Sequence, residues 1–85
     1  MPVSELPLIE RVARVLAAAE LSRNAEGSDA SAAGAVDRAW PDHVNQALAV
    51  LHTMREPDRR MLEAGDGDAW TRMVEAAIEE ASATA

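Results

Sequence analysis

A chain of 85 residues suits one domain, and at that length folding hides only about three-fifths of the surface the unfolded form exposes. Fifteen acids against eight arginines leave a net charge of −7, which opposes long-range attraction to nucleic acid or to anionic lipid. The absence of cysteine excludes a disulfide, a thiolate metal site and a cysteine nucleophile.

The N-terminus, Met1-Pro2-Val3-Ser4-Glu5, has neither the basic stretch nor the apolar run of a signal peptide. No apolar segment approaches bilayer-spanning length, so the expectation is a cytoplasmic protein with no membrane partner. A first helix is predicted over 5–23, with Ser4 as its cap and Pro7 accommodated in the first turn. Leu8, Ile9, Val12, Val15, Leu16 and Ala19 recur at helical spacing on its apolar face, while Glu10, Arg11 and Arg14 point away. Glu10 and Arg14 stand four apart with the acid first, the favourable order for a side-chain pair.

Residues 24–35 are rich in Ala, Ser and Gly and have no apolar period, so they read as a flexible loop with room for one helical turn. A second helix is expected over 37–55, burying Trp40, Val44, Ala47, Leu48, Leu51 and Met54. Pro41 biases Trp40 away from helical geometry: either the helix begins at Pro41, or a short turn before it is kinked there. Pro57 suits the first position of a short helix over 57–64, with Met61 and Leu62 as its apolar members and a left-handed Gly65 to end it. Asp66-Gly67-Asp68 is a tight turn in which Asp66 or Asp68 caps the last helix, 69–81, whose stripe is Trp70, Met73, Val74, Ala77, Ile78 and Ala81. Residues 82–85 are expected to fray. No period-two segment or βαβ pattern occurs, so the fold class is all-α: one helical domain over 1–85 with three main amphipathic helices and a short one.

Sites with a chemical reading are few. Asp66 and Asp68 lack the further spaced oxygens and closing glutamate of a calcium loop. His43 and His52 lie nine apart on nearly opposite sides of one helix and cannot share a metal, so neither a metal nor a cofactor is expected. A helix-turn-helix around 65–68 would offer the DNA groove Thr71, Arg72, Glu75, Ala76, Glu79 and Glu80, a face with more acid than base, which disfavours direct nucleic-acid binding. The densest polar junction is Arg55, Glu56, Asp58, Arg59 and Arg60: a candidate interaction site on one reading, helix punctuation around Pro57 on the other. Trp40, Pro57, Gly65 and Trp70 are the expected structural anchors. No phosphate loop or Ser, His and Asp arrangement argues for catalysis, so the expectation is a protein that is not an enzyme.

One resemblance stands out, carried by Trp40, Ala47, Leu51, Met54-Arg55-Glu56-Pro57, Met61, Ala64-Gly65, Trp70 and Met73. In this pattern, over about two-thirds of the chain, the sequence resembles short bacterial and prophage or phage-encoded proteins of unknown function, departing from them at Pro41 and Asp58. The resemblance implies an all-α fold and a bacterial or phage origin and carries no functional residue across. Arginine without lysine, beside abundant alanine, likewise points to a GC-rich bacterial coding sequence. A thin core and alanine-rich helix faces favour a protein-interaction module that pairs with itself or another protein. The rival reading is an acidic regulator of a DNA-binding or DNA-processing protein, of the DNA-mimic type.

Overall fold

The computed structural model describes residues 3–24 and 32–84. Helix α1 is Leu8–Asn24 and α2 is Ala32–Ala39, which passes through a 3₁₀ turn, Trp40–His43, into α3, Val44–Met54; α4 is Arg59–Ala64 and α5 is Gly67–Thr84. If the interrupted run from α2 to α3 is taken as one element, the fold is three main helices and a short one, the expected all-α bundle, and no strand occurs among the described residues.

Several boundaries differ from the sequence expectation, each for a local reason. Ser4 does not cap α1: its hydroxyl accepts from the Leu6 amide at 3.2 Å, and the Pro7 carbonyl takes the first helical bond, from Arg11 at 3.1 Å. The helix therefore begins at Leu8, with Pro7 in the cap position where its missing N–H costs nothing. Of the predicted loop 24–35, residue 24 ends α1 and residues 32–35 belong to α2, while 25–31 lie outside the described residues. Pro41 has no N–H to continue the α-helical ladder, so the chain tightens to 3₁₀ and turns at His43, which sits at φ −106° and ψ 8°. Pro57 precedes α4 rather than opening it, because Asp58 is the N-cap: its Oδ1 accepts from the Met61 amide at 2.9 Å. Gly65 is extended, not left-handed, with φ −169°, and its amide closes α4 onto the Met61 carbonyl at 3.1 Å.

Asp66 resolves the choice of cap for α5. Its Oδ1 accepts from the amides of Asp68 (2.9 Å) and Ala69 (3.2 Å), and its carbonyl takes the Trp70 amide. A Cβ at 67 would overlap only the tip of the half-exposed Leu62 side chain, which is free to swing aside, and would make ordinary contact with Pro57. The helix then continues through Ser82 and Ala83 to Thr84, past the predicted end at 81, and residue 85 lies outside the described residues. Asp66→Ala is expected to cost about 1 kcal/mol, lowering Tm by about 4–8 °C, whereas Asp68→Ala stays close to wild type. Thermal melts followed by circular dichroism compare the two, and equal losses would contradict the assignment of the cap.

The core is narrow. Ile9, Ala13 and Ala17 form the buried line of α1, and Ile9 and Ala13 meet Ala47 and Leu51 of α3 and Val74 and Ala81 of α5. Most of these are alanines, which bring helix axes together but remove little apolar area from water. Among the described residues, Leu51 is the largest side chain fully buried. Trp40, Leu48, Met54, Trp70 and Ile78 pack around this centre while keeping part of their surface exposed. Two residues assigned to apolar stripes from sequence are not covered: Val15 is 68% exposed and Met73 71%. Ala19 is exposed as well. The radius of gyration is 15.0 Å, against about 12 Å for a compact chain of this length.

Candidate functional site

The corner between α3 and α5 is built around helix ends. The last carbonyls of α3 have no partner within their own helix, and α5 supplies them: Trp70 Nε1 donates to the Met54 carbonyl at 2.7 Å and Thr71 Oγ1 to the Arg55 carbonyl at 3.0 Å. The predicted junction is thereby anchored through its backbone. Asp58 serves as the α4 cap, while the side chains of Arg55, Glu56, Arg59 and Arg60 are exposed. Among the described residues, none of Arg55, Arg59, Arg60 or Arg72 takes part in an ion pair. Arg59 and Arg60 open α4, where positive charge gains nothing from the helix dipole.

α4 lies against no other helix over any substantial area, and its apolar side chains stay partly in water: Met61 is 37% exposed and Leu62 52%. Met61 and Met73 border an open groove of about 330 Å³ floored by Pro57, Gly65, Ala69 and Trp70. One turn further along α5, Ala76 and Ala77 border a second depression with Leu6 and Leu8 of the N-terminal segment. Ser4, Glu5 and Glu80 line that depression too, so the open apolar surface of this corner is the groove of Met61, Ala69, Trp70 and Met73 and does not run on to the N-terminal segment. Met61, Leu62 and Met73 were read from sequence as burial-directed; helical spacing finds an apolar face but cannot say whether a neighbour covers it.

A second polar cluster holds the other end of the bundle. Arg14 Nε reaches Glu10 at 2.9 Å, the expected pair four residues apart, and its Nη1 reaches Asp37 of α2 at 2.7 Å. Its guanidinium also lies 5.6 Å from the centre of the Trp40 ring. Arg14 therefore bridges α1 to α2 instead of pointing into solvent. Trp40 faces a cleft of about 430 Å³ beside Pro7, Ile9, Glu10, Pro41 and Val44.

The histidines part company. His52 is exposed, whereas His43 is buried and spans two helices: Nδ1 lies 3.1 Å from the Ala39 carbonyl of α2 and Nε2 2.5 Å from Glu20 Oε2 of α1. Glu20 carried no signal in the sequence because it lies 23 residues away from its partner. Both ring nitrogens face acceptors, so the doubly protonated ring is the form that matches its surroundings. Bonding to Glu20, then to the Ala39 carbonyl, raises the His43 pKa above its ordinary 6.5, with Asp42 adding a smaller push in the same direction. A folded value above the unfolded one means the stabilisation is complete below pH 6.5 and is lost as pH rises through the folded value. Tm is accordingly expected to fall as pH rises above about 6.5, and His43→Gln to flatten that slope. Parallel slopes for the two proteins would exclude the pair as the cause. No group of three or more His, Cys, Asp or Glu among the described residues could hold a metal ion. No helix among them is long and apolar enough to cross a membrane.

Fold and surface together define a small all-α bundle with an open groove between α4 and the start of α5. No protein-family model, curated protein or solved structure matches the chain.

Proposed function

We propose that the protein is a non-enzymatic protein-interaction module that docks through the outer face of α5 and the adjoining α4. The observation that carries this reading is the exposed pair Met61 and Met73 beside Trp70 on one groove, with Leu62 exposed on the same short helix, in a domain with so little core to spare. Apolar side chains that remain in water contribute nothing to folding, and covering them on association is favourable by about 25 cal/mol per Å². Asp66 adds a carboxylate to the groove's lining, and Arg59, Arg60 and Arg72 are exposed on the two helices that form it, consistent with an apolar patch that has polar neighbours. The resemblance at Met54-Arg55-Glu56-Pro57 and the arginine-only basic composition support a bacterial or prophage origin.

The DNA-mimic reading draws less support. Mimicry wants a contiguous array of free acids, but Glu10, Asp37 and Glu20 are engaged with Arg14 and His43, and arginines alternate with acids over 55–72.

A photo-reactive amino acid placed at Met61 or Met73, in the host or a related bacterial cell, tests the reading. Protein adducts are expected from both positions and not from Ala18, an exposed position on α1. The absence of adducts at 61 and 73 would refute the proposal.

A further inference from the structure

We infer that α2 is a pH-released strap: the second proton on the His43 ring ties the end of α2 to α1, and its loss frees α2 while α1, α3 and α5 stay packed. The strap packs on α1 and on the 3₁₀ turn, and its release does not involve the α4–α5 groove.

α2 has little of its own to hold it. An eight-residue helix is too short to persist alone in water, and Gly34 within it lowers its helical propensity further. Across residues 33–39 no side chain is buried: Ala35, Val36 and Ala39 are half-buried, and Ala33, Asp37 and Arg38 are exposed. None of them belongs to the core cluster that joins α1, α3 and α5. Beyond these half-buried contacts, two polar links fasten the segment to α1, at Arg14 and at Glu20. The first is Asp37 to Arg14, and the Asp37 side chain is 66% exposed, a setting in which water screens the pair. The second is His43, in the turn that ends α2. It is buried, and its ring joins the Ala39 carbonyl to the Glu20 carboxylate.

That second link needs a proton on each ring nitrogen. When one proton leaves, a nitrogen is left with its lone pair facing an oxygen. The Ala39 carbonyl is fixed in the backbone, whereas the Glu20 side chain is half in water and free to swing away. The neutral ring therefore keeps Nδ1–H on Ala39 and gives up Glu20, so the bond that breaks is the one that crosses to α1. The elements packed against the turn are α1, α2 and α3. From α1 comes Glu20, with Arg23 exposed one turn on; from α2 comes the Ala39 carbonyl, while Asp37 is held by Arg14 and Arg38 is exposed. The titratable side chain of α3, His52, is exposed nine residues further along. Glu20 foremost, then the Ala39 carbonyl, with Asp42 adding to them, favours the charged ring and raises its pKa above 6.5. The strap is thus fastened below pH 6.5 and released as pH rises through the folded value.

NMR of the full chain tests this, with Cα secondary shifts reporting the helicity of each segment and the His43 ring carbons reporting its titration. A hydrogen bond to a charged group changes an equilibrium by about tenfold or more. A tenfold fall in the closed-to-open ratio takes a strap that is about nine-tenths closed to about half. The helical shifts of residues 33–39 should therefore fall by about half as His43 titrates, while those of α3 and α5 hold. Glu20→Gln should abolish the fall, because the amide offers an acceptor to the charged ring and, flipped, a donor to the neutral one. Glu20 is exposed, and circular dichroism verifies that this variant folds. His52→Gln, which removes the other histidine, should leave the fall in place. An α2 that stays helical as His43 loses its proton would overturn the proposal, as would one already unwound at about pH 6. A loss shared equally by α3 and α5 would overturn it too, and so would a fall that survives Glu20→Gln or vanishes with His52→Gln.

Discussion

Leu51→Ala is expected to leave the protein largely unfolded at room temperature. Leu51 is the one large side chain fully buried among the described residues, in a cluster with Ile9, Ala13 and Val74 of the neighbouring helices. Leu-to-Ala changes at such sites cost about 3–5 kcal/mol, because the lost transfer energy is joined by that of a cavity the neighbours cannot close. A single core of this size supplies about 3–5 kcal/mol in total, so one substitution consumes most of the margin. Urea titration followed by circular dichroism should show the midpoint displaced to near zero denaturant. Val50→Ala, one residue away and 36% exposed, should move it only slightly. A Leu51→Ala protein with near-native stability would mean that the core lies elsewhere.

Removal of Trp70 should have the second-largest effect, and two substitutions separate its contributions. Trp70→Ala loses both the ring packed against the core and the bond to the Met54 carbonyl, at a cost of about 3 kcal/mol, the low end for an aromatic because the residue is only partly buried. Trp70→Phe keeps most of the apolar surface and removes only the donor, leaving the α3 carbonyl without its partner at a cost of about 1–2 kcal/mol. At about 4–8 °C per kcal/mol the expected Tm losses are about 12–24 °C and about 4–16 °C. If phenylalanine proves as damaging as alanine, the indole N–H carries the interaction; if phenylalanine is neutral, the 2.7 Å bond to Met54 contributes nothing.

The candidate site was half legible before folding. The Arg55 to Arg60 junction was identified as a place where the chain is redirected, and both the break and the cap at Asp58 are there. Its significance shifted, however, from the polar side chains to the backbone carbonyls of Met54 and Arg55, which Trp70 and Thr71 hold from 16 residues away. Neither bond has a sequence signature, since each joins a side chain to a main-chain oxygen common to every residue. His43 and Glu20 are a similar case: each is ordinary in its own helix, and the pair exists only because α2 and the 3₁₀ turn fold back across α1.

What the amino-acid order determined alone is local. Helical spacing of apolar residues, the breaks at Pro41, Pro57 and Gly65, and the capping aspartates define the all-α class and the order of helices, because each depends on groups a few residues apart. Tertiary structure decided which apolar residues became core. Ile9, Ala13, Ala47, Leu51 and Val74 met partners, while Val15, Met61, Leu62 and Met73, equally apolar and equally periodic, did not. Burial is a property of two surfaces, and a single helix specifies only one of them.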